Sequence, residues 1–341
     1  MKDPLAIIFN DAHLKTGNEQ DVINSVKHMV DYAVDKNITI MIFAGDMFDS
    51  RSHQRQSVLQ AFDEILRIIN SAGILLYLFP GNHDKTDYYS YDSFLDVYRH
   101  YPNVIFNKTV SDIDIKGTKI TLLPFFADSL LIPMIDDHKG SDVLISHFEM
   151  AGSTNLGRTS KKTSINKKLL SKWKKTYLGH YHNHHEISKD IVHLPSLRQS
   201  NFGEDDQKGF SILYDDLSYE IVLGKFKKFI KLTIDVDNIN KKDLQELIDK
   251  NKESEDIVRF EFVGSDSKLK VLDKADFNNT GIDVRVKYQA KYDVSSTAKP
   301  PSLIQKFSQE QIREEFKVFC KEKKLDYKEG LVLLNKFLNK Q

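Results

Sequence analysis

The stretch Phe79-Pro80-Gly81-Asn82-His83-Asp84 delivers an amide, an imidazole and a carboxylate in consecutive positions, straight after the apolar run Ile74-Leu75-Leu76-Tyr77-Leu78. Asn, His and Asp side chains form a metal-ligand or proton-transfer set, and Gly81 lets the backbone turn tightly enough to present them. Four other apolar runs end in the same way. Leu5 to Phe9 leads into Asn10-Asp11-Ala12-His13, and Ile38 to Ala44 into Gly45-Asp46-Met47-Phe48-Asp49. Asp142 to Ile145 leads into Ser146-His147, and Thr176 to Leu178 into Gly179-His180-Tyr181-His182. Pooled, these ends offer Asp11, His13, Asp46, Asn82, His83, His147, His180 and His182. A donor set of nitrogen and oxygen without thiolate suits manganese, iron or zinc better than calcium. Seven of these groups can hold two ions if one carboxylate bridges, and Asp46 is the natural bridge, which leaves His83 over. Two metals about 3.5–4 Å apart can generate a hydroxide nucleophile and clamp the attacking and leaving oxygens of a phosphoryl displacement. A spare histidine beside them can protonate the leaving oxygen, because its ordinary pKa lies near neutrality.

The elements that must position these groups are legible in the spacing. Between the first two strand ends, Val22, Ile23, Val26, Met29, Val30, Ala33 and Val34 recur at three and four, which predicts a helix from about Glu19 to Lys36. A second helix carries Val58, Leu59, Phe62, Ile65, Leu66 and Ile69 on one face. The order β-α-β-α-β is that of parallel strands joined by crossover helices, and in such sheets chemistry gathers at the carboxyl ends of the strands. Hairpin-like runs (Lys119 to Phe126, Ile191 to Leu194, Phe210 to Tyr214 and Tyr219 to Leu223) suggest a second, more antiparallel sheet packed on the first. After Gly224 the character changes, and a small α+β domain is expected over 225–294. Residues 295–302, rich in Ser, Thr and Pro, read as a linker. Residues 303–341 read as two amphipathic helices, the first opening on a capping box at Ser308 to Gln311.

At 341 residues the chain is long enough for one large domain and one or two small ones. Its 49 basic and 49 acidic residues cancel, which excludes a basic nucleic-acid coat or an acidic tail as a global feature. The single cysteine, Cys320, cannot form an internal disulfide, so a reducing, cytoplasmic setting is expected. No signal peptide or membrane-spanning run is read in the sequence.

Asp-x-His, Gly-Asp-x-x-Asp, Gly-Asn-His-Asp, a lone strand-end His and Gly-His-x-His, in this order, resemble the calcineurin-like metallophosphoesterase superfamily. Within it the chain is most similar to the double-strand-break repair nucleases of the Mre-eleven/SbcD type. Gly45-Asp46-Met47-Phe48-Asp49 resembles the bacterial and phage form of the second motif; archaeal and eukaryotic members tend to have His where Asp49 stands. The stretch from Leu194 to Glu204, followed by Lys208-Gly209-Phe210, also resembles that family, and the compact length resembles phage recombination-endonuclease subunits. The motifs cover roughly residues 5–215. The resemblance implies a four-layer α-β-β-α sandwich over 1–224, with one metal held by Asp11, His13, Asp46 and His182 and a second by Asp46, Asn82, His147 and His180. It implies His83 as general acid or transition-state stabiliser, Asp84 as its orienting partner, and Asp49 in support. It further implies manganese (with magnesium as the other candidate), 3′-to-5′ exonuclease and single-strand endonuclease activity on DNA, and a homodimer. The partner would be a coiled-coil ABC ATPase of the SbcC/Rad-fifty type, with 225–294 as a DNA-capping domain, 303–341 as the ATPase-docking tail, and the host cytoplasm as the setting if the chain is phage-encoded.

Other groups admit plainer readings. The basic run from Lys161-Lys162 through Lys167-Lys168, Lys172 and Lys174-Lys175, with Trp173, fits either a phosphate track or a solvated helix face. Arg158, Lys161 and Lys162, in a Gly/Ser/Thr-rich loop after His147, are the candidate substrate contacts by position. His184, His185 and His193 read as surface or supporting groups. The tail helices either pack back on their own chain or bind a partner. Two other functions stay open: a small-substrate phosphodiesterase or phosphatase on the same core, and a non-catalytic scaffold, against which every ligand position is filled.

Overall fold

The computed structural model describes residues 2–155, 158–159, 163–270, 272, 277–278, 280–287, 316–317, 320–321, 327 and 330–331. Two compact units divide the chain, Met1–Gln289 and Ala290–Gln341. The first begins β1 (Pro4–Phe9), α1 (Glu19–Asp35), β2 (Ile40–Ala44), α2 (Gln56–Ser71) and β3 (Leu75–Phe79), the alternation the apolar spacing predicts. Then come β4 (Val104–Phe106), β5 (Ser111–Ile115), β6 (Thr118–Leu123), α3 (Asp128–Asp137) and β7 (Val143–Ser146). The short pair β8 (Thr154–Asn155) and β9 (Arg158–Thr159) precedes α4 (Lys167–Leu170), β10 (Lys175–Leu178), β11 (His185–Ser188) and β12 (Ile191–His193). β13 (Gly209–Tyr214) and β14 (Tyr219–Leu223) complete the large domain.

Two mixed sheets lie face to face, in the orders β14-β13-β1-β2-β3-β4 and β11-β12-β10-β7-β6-β5. Strand alternation makes the layers. In β1, Ile7 and Phe9 pack toward α1 and α2, with Val26, Phe62 and Ile65. Ala6 and Ile8 face the other way, into the space between the sheets, where they meet Leu122, Ile145 and Tyr177. Beyond the second sheet, Leu144 and Leu178 are covered by Leu131, Ile135, Leu170 and Trp173. This is the four-layer α-β-β-α arrangement, each sheet buried on both faces.

The expected second sheet of hairpins is built differently. The run from Phe210 pairs antiparallel with β1, and the run from Tyr219 pairs antiparallel with it in turn, so both extend the first sheet. Those from Lys119 and Ile191 enter the second sheet as parallel neighbours of β7 and β10. The reason is burial on both faces: Phe210 and Ile212 of β13 belong to the helix-side core and Leu213 to the core between the sheets. Only an inner position beside β1 gives such a strand cover on both sides.

The basic run after β9 is tied into the fold from Lys172 onward, while Lys167 and Lys168 on α4 are exposed. Trp173 is buried and donates to Thr121 Oγ1 at 3.0 Å. Lys172 Nζ donates to the carbonyls of Ile135, Asp136 and His138 at the end of α3, and Lys174 and Lys175 pair with Asp142 and Asp190. Arg158 falls in β9; Lys161 and Lys162 lie outside the described residues.

β15 (Phe229–Asp235), α5 (Lys241–Asn251), β16 (Ile257–Val263), α6 (Asp266–Leu269) and β17 (Asp283–Val286) form a small all-parallel sheet in the order β15-β16-β17. Its own core holds Ile234, Ile248, Phe260, Phe262, Leu269 and Phe277. The loop after β12 ties it to the large domain. Gln199 Oε1 accepts from Phe229 N at 2.8 Å, and the Phe202 ring lies against Phe229 (centroids 5.0 Å) and under the Arg259 guanidinium at 3.8 Å. Arg198 donates to Asp21 Oδ2 at 2.7 Å, whose Oδ1 accepts from Lys227 N at 2.9 Å. The linker 295–302 and nearly all of the tail 303–341 lie outside the described residues. Among the described residues no helix is long and apolar enough to cross a membrane.

Candidate active site

The carboxyl ends of β1, β2, β3, β7 and β10 converge at one edge of the two sheets, and all seven sequence-predicted ligands meet there. Asp11, His13, Asp46 and His180 have positive φ (50°, 45°, 62° and 83°), a conformation L residues rarely hold unless the surroundings impose it. Glycines let the strand ends close over one another. A Cβ on Gly45 would lie 2.6 Å from His147 Nδ1, and one on Gly81 would lie 2.2 Å from Asp46 Oδ1.

Each buried carboxylate keeps one oxygen on backbone and turns the other to imidazoles. Asp11 Oδ2 accepts from His180 N at 2.9 Å, while Oδ1 has no hydrogen-bond partner and faces His13 and His182 Nε2, both at 3.6 Å. Asp46 Oδ1 accepts from His83 N at 2.7 Å, and its Oδ2 lies 3.2 Å from His147 Nε2 and 3.8 Å from His13 Nε2. Asn82 Oδ1 lies 3.1 Å from His147 Nε2 and 2.9 Å from His180 Nδ1. Two groups that could hold a metal ion are Asp11-His13-His182 and Asp46-His147-His180, with Asn82 beside the second; His13, Asp46 and His83 form a third candidate triad sharing members with both.

Electrostatics in this pocket call for positive charge. Burial opposes ionisation of Asp11, but His147, His13 and His182 outweigh it and hold the carboxyl well below its ordinary range. Asp46 is lowered in the same way, with His147 the main opposing influence against burial. Burial likewise disfavours the charged form of His147, yet Asp46 and Asp11 hold its pKa up at about 9. Burial and the His147 charge drive His180 down to about 3. An orphaned buried carboxylate oxygen among nitrogen donors, with no thiolate, fits divalent cations of the manganese, iron or zinc kind.

Asp84 takes a different place from the one expected of it. Asp84 is fully buried and points away from the His83 ring, its carboxylate accepting from the backbone N–H of Asp46 at 2.8 Å, Gly81 at 2.9 Å and Phe48 at 3.0 Å. It braces the motif loops, and burial and Asp46 push its pKa up to about 7. The His83 ring is held by Asp49 through the main chain: Nδ1 donates to the Asp49 carbonyl at 2.6 Å, while Nε2 accepts from Arg51 Nη2 at 2.8 Å. Burial lowers the His83 pKa. The Asp49 carboxylate instead pairs with Lys15 at 3.2 Å.

Supporting residues that the spacing does not reveal stand behind the ligands. Glu204 Oε1 accepts from His182 Nδ1 at 2.7 Å, and the Ala44 carbonyl accepts from His147 Nδ1 at 2.8 Å. His193, for which the sequence left a surface or a supporting place open, takes the supporting one: it is fully buried and donates to the Gly179 carbonyl at 2.9 Å. Glu204 stands at the end of the family-like stretch, a signal that marked its segment without marking its role.

The profile of the calcineurin-like phosphoesterase family matches residues 6–224. Exonuclease subunit 1 of Enterobacteria phage T4 is 25% identical over 193 residues, which cover 55% of this chain and 56% of that protein. The chain thus spans just over half the length of that relative. The 244L protein of invertebrate iridescent virus 6 is 22% identical over 251 residues, 69% of this chain and 83% of that one. A dimetal phosphatase from Danio rerio aligns at 11% identity with a TM-score of 0.42, covering 62% of this chain and 93% of that structure. A match running from the first strand to the last of the large domain places the chain in the calcineurin-like phosphoesterase family.

Proposed function

We propose that the chain is a manganese-dependent DNA nuclease subunit that hydrolyses phosphodiesters with two divalent cations. The observation that carries this reading is Asp46 Oδ2, which faces histidines of both ligand groups from one buried oxygen. Asp11, His13, Asp46 and His182 would hold one cation and Asp46, Asn82, His147 and His180 the other. Bound there, the cations supply Lewis-acid activation of water and neutralise phosphoryl charge. The chain's own groups position the rest. The Asp49 carbonyl fixes the Nδ1 hydrogen of His83, so Nε2 is the atom that meets substrate. Arg51 covers that atom, and a phosphate that draws the guanidinium onto itself frees Nε2 to take a proton from water; the imidazolium so formed gives that proton to the leaving oxygen, with His83 as general acid. Asp84 serves this step by holding the loops that carry Asp46 and His83.

The likeness to a phage exonuclease subunit supports a nucleic-acid substrate; DNA attacked from 3′ ends and within single strands is what the motif resemblance implies. The word subunit in that relative's name supports a partner, and the motif resemblance implies a homodimer and an ABC ATPase with a coiled coil, acting together in double-strand-break processing and recombination. The small domain over 225–294 would cap DNA, and 303–341 would dock the ATPase. A small-substrate hydrolase has no need of either element. The test is digestion of end-labelled duplex DNA with manganese, with and without the ATPase, beside p-nitrophenyl phosphate compounds. DNA cleavage is expected to dominate; turnover of only the small esters would refute the nuclease reading. His83→Ala should keep both metals and lose most cleavage. Deleting 303–341 should abolish ATPase co-purification and leave exonuclease activity intact.

A further inference from the structure

Beside the ligand pocket lies a second cavity of about 340 Å3, with Arg51, Asn82, Tyr88, Phe125, Glu149 and His180 among its walls. Arg51, Asn82 and His180 also line the ligand pocket, so the two spaces share a wall. The mechanism above uses only the first.

Three features describe what fits the second. Its wall is aromatic: the Tyr88 and Phe125 rings meet edge to face with centroids 4.9 Å apart. At the junction, the Arg51 guanidinium is held by a phenol, Tyr88, and an imidazole, His83. Among the described residues it has no carboxylate partner, and a guanidinium so placed suits phosphate. The far rim is acidic. Asp128 Oδ2 accepts from Thr163 at 2.9 Å and Glu149 Oε1 from Tyr181 at 2.8 Å, while Asp128 Oδ1 and Glu149 Oε2 have no hydrogen bond among the described residues. A second phosphate would be repelled by that rim; a planar ring bearing amino groups would be accepted, since carboxylates take hydrogen bonds from exocyclic amines.

We infer that this cavity seats the nucleobase adjoining the scissile phosphate, with Tyr88 and Phe125 against the ring, Asp128 and Glu149 toward its amino group, and Arg51 on the phosphate. The inference rests on the proposed nuclease reading and specifies its substrate: a nucleotide recognised by its base, not a bare phosphodiester. Tyr88, Phe125 and Arg51 are substrate-positioning residues, and stacking of this kind acts on the scale of tenfold in affinity per base.

The test is binding to the manganese-loaded full chain, measured by calorimetry with dAMP and with 2-deoxyribose 5-phosphate, in parallel with digestion of a labelled oligonucleotide. The wild type should bind dAMP about tenfold more tightly than the base-less sugar phosphate. Tyr88→Ala should erase that advantage, Tyr88→Phe should keep it, and Arg51→Ala should weaken both ligands alike, with thermal unfolding showing that each variant is folded. Equal binding of the two ligands by the wild type, no binding of dAMP, or a base advantage that survives Tyr88→Ala, would overturn the assignment. If dAMP keeps its advantage while the oligonucleotide is left uncut, the nuclease reading fails and the base pocket stands. If the oligonucleotide is cut and the base advantage is absent, the pocket fails and the nuclease reading stands.

Discussion

The two halves of the ligand pocket are supported by different parts of the molecule. Around Asp46, Asn82, His147 and His180 the support is sheet: the Ala44 carbonyl at the end of β2 fixes His147, and His193 of β12 fixes the Gly179 carbonyl before His180. Around His182 the support is a loop. Its ring is 22% exposed and is aimed by Glu204, which belongs to the same loop that holds the small domain through Gln199 and Phe202. Strand ends buried between two sheets move only if the sheets move, whereas a loop follows whatever grips it. One half of the site is thus set by the core of the fold, and the other rests at His182 on a loop that also grips the small domain.

Asp46 belongs to both halves, so Asp46→Ala is the change with the largest expected effect. Both cations should be lost, and cleavage should fall on the order of a thousandfold or more, the scale of removing transition-state charge stabilisation. Metal content by elemental analysis checks it; one cation retained per chain would show that Asp46 does not bridge. His147→Ala comes next and should separate the halves. It removes a donor from the sheet-supported half alone, leaving one cation per chain; unchanged metal content would sink the ligand assignment. With Asp46 Oδ2 then short of a buried partner, unfolding of the metal-free variant should be easier by about 1–3 kcal/mol.

This division was only half legible in the sequence. All seven candidate ligands, those of both halves, follow from apolar runs that end in them, because strand-end chemistry and its placement are local in sequence; the different supports behind the two halves do not. The same spacing placed α1 and α2 within a residue or two. What spacing could not reveal is contact between segments far apart in the chain. Asp84 follows His83 directly, yet its carboxylate turns back to the amides of Asp46 and Phe48, while the Asp49 carbonyl takes the orienting role. Arg51 and Tyr88 meet only because two loops fold together at the pocket mouth. The hairpin at Phe210 was read into the wrong sheet because burial on both faces is a property of its neighbours, not of its own residues.

Glu204→Gln tests the loop-supported half directly. An amide cannot hold the His182 imidazole as a carboxylate does, and loss of such a supporting carboxylate weakens metal binding by about 10–100-fold. Manganese titration followed by electron paramagnetic resonance should then show one weakened site and one unchanged. Equal weakening of both would mean that the halves are not separately supported.

The smallest effect, and the sharpest test of that loop's grip, belongs to Phe202→Ala. Phe202 touches none of the ligands; it packs on Phe229 and under Arg259 of the small domain. Removing its ring deletes an aromatic pair and a cation–π contact, each worth about 1 kcal/mol. Gln199 stays bonded both to Phe229 N and, at 3.1 Å, to the Glu204 carbonyl, so the loop loosens without detaching. The His182 cation should bind about two- to fivefold more weakly, as expected if between half and all of one such contact reaches the ligand. The His147 cation should be unaffected, and limited proteolysis should cut more readily near 225–228. If the junction becomes sensitive to protease while both manganese affinities stay at their wild-type values, the loop anchors the small domain without tuning the metal site, and both halves are set by the sheets alone.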